Sequence, residues 1–192
     1  MRKISILILA ILFSIIAKAQ EKKGDTALLI IDIQYFYYPG GSTELVDPEP
    51  AGKNAAKLLE HFRKNNLLVV HVRHNSKAGG EIHEVVKPLS NEKVISKDEV
   101  NCFKNTDLLD YLRTNKIKYL IICGMQTHMC VEAATRAAKD FDFDCTLIHD
   151  ACATRNLKFG DKEIKAEDVH YSTLSTLKAY AKIIDTKAYL KE

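Results

Sequence analysis

No C-x-x-C pair occurs among the five cysteines of this 192-residue chain, so a zinc ribbon or a thioredoxin-type redox pair lacks its ligands. Charge of one sign is scarce as well. Lys and Arg number 28 and Asp and Glu 25, a formal net charge of +3 with no basic stripe, which argues against a nucleic-acid partner. The apolar run at residues 4–16 is shorter than the roughly 20 residues that span a bilayer. Internal repeats, low-complexity tracts and linkers are missing too. What remains is ordinary globular composition, 46% hydrophobic and 28% charged, in a chain long enough for one core.

The N-terminus stands apart. Met1-Arg2-Lys3 is basic, residues 4–16 are apolar, and Ala17-Lys18-Ala19 has the A-x-A form of a cleavage site. Residues 1–19 are therefore expected to be a signal peptide cut near Ala19. The mature protein is expected to be exported, periplasmic or secreted, with no stable membrane anchor. No cysteine follows the apolar run closely, which argues against a lipidated terminus. Disulfides form in such a compartment, and an odd number of cysteines leaves at least one thiol free.

Beyond this leader the pattern alternates. Strand signals fall at residues 27–33, 67–72, 93–96, 117–122, 144–148 and 181–184, and helix signals at 52–65, 106–115, 128–140 and 166–180. Such alternation predicts an α/β fold of three layers, helices on both faces of a central, mostly parallel, Rossmann-like sheet, over residues 26–190. Residues 77–93 show no clear period and read equally as pocket wall or surface loop.

One cysteine has a distinctive position. Cys130 stands where a β-branched run, residues 117–123, gives way to an alanine-rich helical stretch. Unpaired amides at a helix N-terminus favour a thiolate and can hold an oxyanion. Taken alone, this position suits a buried structural thiol equally well. Upstream, Asp32 closes the apolar run Leu28-Leu29-Ile30-Ile31, at the strand end where open parallel sheets bind ligands, although a turn or capping role is the plainer reading. Lys97 ends the run Val94-Ile95-Ser96 and by default would be a solvated surface lysine.

These segments, in order, resemble the isochorismatase-like cysteine hydrolase family, which includes nicotinamidases, carbamoyl-amide hydrolases and related amidases. The matching stretches are Leu29-Ile30-Ile31-Asp32-Ile33-Gln34; Lys97 with Phe103 and Thr106-Asp107-Leu108; Gly124-Met125-Gln126-Thr127-His128-Met129-Cys130-Val131; Asp150-Ala151-Cys152-Ala153-Thr154; and His170-Tyr171-Ser172-Thr173-Leu174. The resemblance runs from Thr26 to the C-terminus. It implies a triad of Asp32, Lys97 and Cys130, a cis peptide between Met125 and Gln126, and an oxyanion hole from the amides of Gln126 and Cys130. It also implies no cofactor, a homo-oligomer, and a small-molecule amide or carbamoyl substrate. Chemistry is consistent with those roles: amide hydrolysis needs a nucleophile, a base and oxyanion donors. Asp32 would be the base, with burial raising its pKa and Lys97 lowering it while favouring the thiolate.

Residues close to these in sequence are the expected pocket wall: Gln34, Phe36 and Tyr37 past the first strand, Phe103, and Thr127. His71, His74 and His83 are a partial ligand set for a metal. Metal-using nicotinamidases place Asp-x-His after this second strand, whereas His74-Asn75-Ser76 stands here, so no metal is expected. The sequence therefore predicts a cysteine-dependent hydrolase of C–N bonds. An isochorismatase-type vinyl-ether hydrolase and a catalytically silent binding domain of the same fold are the alternatives.

Overall fold

Continuous apolar runs dictate the centre of the molecule. Ala27 to Ile31 and Leu120 to Cys123 have almost no solvent-exposed surface, the signature of strands covered on both faces. The computed structural model describes residues 24–76 and 78–191; the expected signal peptide lies outside them. Six parallel strands form the main sheet: β1 (Thr26–Ile31), β2 (Leu68–His74), β3 (Lys93–Lys97), β4 (Tyr119–Met125), β5 (Asp144–Ala153) and, last in the chain, β8 (Ala181–Ile184). Between the last two, β6 (Leu157–Phe159) and β7 (Lys162–Ile164) make a separate antiparallel hairpin. The main sheet runs β3-β2-β1-β4-β5-β8, so the winding reverses between β1 and β4. In such sheets a ligand crevice opens beyond the strand ends at that reversal.

Helices cover both faces. On one face, α1 (Pro48–Lys64) buries Ala51, Ala55, Leu58, Leu59 and Phe62, and α5 (Thr186–Leu190) packs beside it. On the other lie α2 (Leu108–Thr114), α3 (Glu132–Asp140) and α4 (Ala166–Leu177), whose Leu112, Ala134 and Leu174 share a core with Leu29 and Ile31. This is the three-layer α/β/α arrangement that the alternation predicts.

The boundaries differ in instructive ways. The strand predicted at 144–148 runs on to Ala153. Polar Asp150 ought to interrupt it, but its carboxylate accepts hydrogen bonds from the Thr186 amide and hydroxyl (both 2.8 Å) and from Asn54 Nδ2 (3.1 Å), so flanking helices satisfy it. α1 begins four residues before the apolar period, since Pro48 fits a first turn without needing a partner for its nitrogen. The helix predicted at 128–140 opens instead as a single π-helical turn, Thr127–Val131. The hairpin and α5 are too short and too polar to give a period. At Gly124, φ is +132° and a Cβ would sit 2.0 Å from the Ile31 carbonyl oxygen; only glycine lets β4 close on β1 beside Asp32.

Candidate active site

Asp32 is the first residue past β1. It adopts a left-handed backbone (φ 49°) while its amide still donates to the Val72 carbonyl at 2.9 Å. Its side chain is completely buried. Lys97 comes from two strands away, at the end of β3, where alternation turns Ile95 and Lys97 inward. Its stem reaches across the sheet end, and its ammonium lies 2.8 Å from Asp32 Oδ2. The same ammonium donates to Cys130 Sγ at 3.3 Å, and a third neighbour, His74 Nδ1, sits at 3.4 Å. One ammonium thus has a carboxylate, a sulfur and an imidazole nitrogen around it. Asp32 and the thiol share that ammonium as their common neighbour. The surface position that is the default for a lysine does not apply, because Lys97 is 1% exposed and Cys130 only 5%.

Burial raises the pKa of Asp32, against the opposing pull of Lys97, and no backbone amide among the described residues donates to its carboxylate. For Lys97, burial works against the charge, but Asp32 and Cys130 outweigh it and the ammonium is retained. Burial, reinforced by Asp32 and opposed by Lys97, pushes the Cys130 thiol up to about 12. The pull of Lys97 toward the thiolate is thus opposed here by burial and by Asp32. One ammonium cannot neutralise a carboxylate and a thiolate together, and a buried unpaired charge is costly.

Facing this group is the turn that leaves β4. The Met125–Gln126 peptide is cis. The Gln126 carbonyl accepts from the Met129 and Val131 amides (3.1 and 3.3 Å), the neighbours on either side of Cys130. Three consecutive side chains of the turn are fastened outward. Gln126 Oε1 accepts from Arg155 Nε (3.1 Å) and its Nε2 donates to the Tyr37 hydroxyl (3.3 Å). Thr127 Oγ1 donates to the Ala153 carbonyl (3.2 Å), and His128 Nδ1 lies 2.6 Å from Thr154 Oγ1.

The expected pocket residues divide. Tyr37 sits beside Gln126, with Phe36 edge-on to it at 4.3 Å. Phe103 shares the apolar cluster of Cys130 and packs on Phe141 at 5.3 Å. Gln34 is corrected to a fully buried brace: its Nε2 spends both protons on the His74 and Gly80 carbonyls (2.9 and 2.7 Å) and its Oε1 accepts from the His74 amide (2.8 Å), which leaves no donor for a substrate. Thr127 is likewise fully buried and turned toward β5 and α4. The aperiodic stretch before β3 backs the wall, since Tyr35, Phe36 and His83 exchange backbone hydrogen bonds with Glu81, Gly79 and Ile33.

The three histidines are dispersed. His71 bonds Glu92 at 3.0 Å, His74 faces Lys97, and His83 stacks on Tyr38 at 3.7 Å. Among the described residues, no group of three or more His, Cys, Asp or Glu is placed to hold a metal. Sequence reasoning missed His74 as a neighbour of the ammonium, as well as Arg155 and His170 behind the turn. Arg155 directly follows the matched Asp150–Thr154 stretch and His170 opens the last one, so their positions were the available signal. Two cavities, of about 500 and 410 Å³, lie elsewhere, one at the opposite end of β1 and β2 beside Thr26, Leu68 and Glu92, the other beside the hairpin at Asn156 and Glu163.

Comparison with known proteins finds matches in both sequence and fold. The isochorismatase domain model matches residues 26–187. The uncharacterized isochorismatase family protein YddQ of Bacillus subtilis (strain 168) is 44% identical over 178 residues, 86% of this chain and 99% of that one. The ureidoacrylate amidohydrolase RutB of Acinetobacter baylyi is 27% identical over 135 residues, 68% of this chain and 55% of its own length. A crystal structure of a hydrolase grouped with the isochorismatases, from Oleispira antarctica, superposes with a TM-score of 0.85 at 38% identity, covering 91% of this chain and all of that one.

Proposed function

Since the chain belongs to the isochorismatase family of hydrolases, we propose that it is a cysteine amidohydrolase acting on a small carboxamide or carbamoyl compound. One observation carries this reading: a buried ammonium that contacts both Asp32 (2.8 Å) and Cys130 (3.3 Å) at the strand ends. A structural thiol has no use for that arrangement, which places a base and a cation on one sulfur.

Cys130 Sγ attacks the carbonyl carbon as its proton passes to Asp32. A carboxylate of raised pKa is better matched to a thiol than an ordinary aspartate. As the thiolate forms, Lys97 is the cation beside it. The oxyanion is met by the amides of Gln126 and Cys130. Collapse breaks the C–N bond, and the proton on Asp32 leaves with ammonia. Water then adds to the thioester with Asp32 again as base. The C–S bond breaks, the acid departs, and the proton returns to Sγ. The narrow exposure of Cys130, 5%, favours a small substrate. The amidohydrolase named among the relatives supports the reaction class. A panel of small amides scored for ammonia tests the proposal. Ammonia release that disappears in Cys130→Ala is expected; pyruvate release from a vinyl ether, with no ammonia from any amide, would overturn it.

A further inference from the structure

The fastening of Thr127 differs from those of its neighbours because it continues to another helix. Its hydroxyl lies 3.2 Å from the Ala153 carbonyl at the end of β5 and 2.9 Å from His170 Nδ1 on α4. A hydroxyl has one proton to give, and a carbonyl has none. With the Thr127 proton on Ala153, the remaining contact forms only if His170 donates from Nδ1. Direction is thereby fixed: His170 to Thr127 to Ala153. Burial and the neighbouring His149 ring, 6.5 Å away, hold His170 low, at about 4, so it stands neutral near pH 7. Thr127 is fully buried and follows Gln126 directly in the chain.

We propose that His170 is a positioning residue for hydrolysis: its Nδ1–H locks the Thr127 hydroxyl and so fixes the adjoining Gln126 amide where the oxyanion develops. This rests on the reading of Gln126 as an oxyanion donor. A merely structural bond would hold α4 against the sheet and leave the chemistry at Cys130 alone. The two roles separate because Cys130 undergoes two kinds of reaction. Iodoacetamide alkylates sulfur by displacement at a saturated carbon, and no oxyanion forms. With p-nitrophenyl acetate an S–C(acyl) bond forms and the C–O bond to nitrophenolate breaks through a tetrahedral oxyanion, the thiol proton passing to Asp32 and on to solvent. Only the second reaction needs the amide in place.

The experiment measures both rates at Cys130, by intact mass, in the wild type, His170→Phe, His170→Asn, Thr127→Val and Thr127→Ser. His170→Phe keeps a ring and removes the donor; His170→Asn keeps an N–H near the Nδ1 position. Acylation is expected to fall about tenfold or more in His170→Phe, with alkylation within about twofold of wild type, the selective loss that a displaced oxyanion donor gives. His170→Asn should recover most of the acylation. Thr127→Val should reproduce the selective loss and Thr127→Ser should not, which decides the matter if His170→Phe does not fold. Parallel loss of both reactions, unchanged acylation, or an Asn variant as poor as Phe would overturn the inference. A wild-type enzyme that is alkylated but never acylated would overturn the acyl-enzyme reading and this inference with it.

Discussion

Lys97→Met removes one charge from the centre of the site and keeps much of the stem. The ammonium is 3.3 Å from Cys130 Sγ and 2.8 Å from Asp32 Oδ2, and both acids are buried. At an effective dielectric near 20, a unit charge at 3.3 Å is worth about 5 kcal/mol to the thiolate, and this sets the ceiling. The observed effect should be smaller. Without Lys97 the buried Asp32 takes up a proton more readily, which relieves its repulsion of the thiolate. A net rise of about 1–3 pKa units is then expected at sulfur. The wild-type thiol already stands at about 12, so alkylation in the working range reports a small thiolate fraction. Below the pKa this fraction changes about tenfold per pKa unit, so the iodoacetamide rate profile should shift about 1–3 pH units upward. Turnover should fall for two reasons, a costlier thiolate and a base that holds on to its proton more readily. Overlapping alkylation profiles with unchanged turnover would remove Lys97 from the mechanism, whatever its position.

Asp32→Asn should lower turnover by at least ~10² by deleting the proton acceptor, with full activity in that variant placing the base elsewhere. Treatment with a chelator should leave turnover unchanged; activity lost on chelation and restored by zinc or iron would reverse the reading of the dispersed histidines. Glu92 gives a test of stability. Burial alone would raise its pKa, yet Arg63 (2.8 Å), the Leu89 amide (2.8 Å) and His71 (3.0 Å) hold it at about 2, below the ordinary 4.5. A depressed carboxylate stabilises the fold above its unfolded pKa, and that contribution disappears as pH falls from about 4.5 through about 2. Denaturant unfolding of wild type should therefore lose stability across that window more steeply than that of Glu92→Gln, and parallel curves would contradict the assignment.

Much of this architecture was legible because buried parallel strands leave unbroken apolar runs. Residues 27–31 and 120–123 were readable for that reason, and with them the layer order and the strand end that presents Asp32. Asp150 hid the second half of β5, since its satisfaction by Asn54 and Thr186 depends on helices 96 and 36 residues away in sequence. Cys130 and Lys97 were visible as positions on a motif, but not the electrostatic balance between them. That balance depends on a near-total burial which sequence periodicity at an edge strand does not reveal. Gln34 was read as pocket wall from its proximity to Asp32; the backbone acceptors at His74 and Gly80 that consume its amide become visible only after folding.

The most direct measurement is intact-mass analysis of the enzyme, acid-quenched during turnover of an amide that releases ammonia. The account predicts an added mass equal to the acyl group of that amide, located by peptide mapping to Cys130 and absent from Cys130→Ala, which should release no ammonia. Sustained ammonia release with no adduct at Cys130, undiminished in Cys130→Ala, would contradict it.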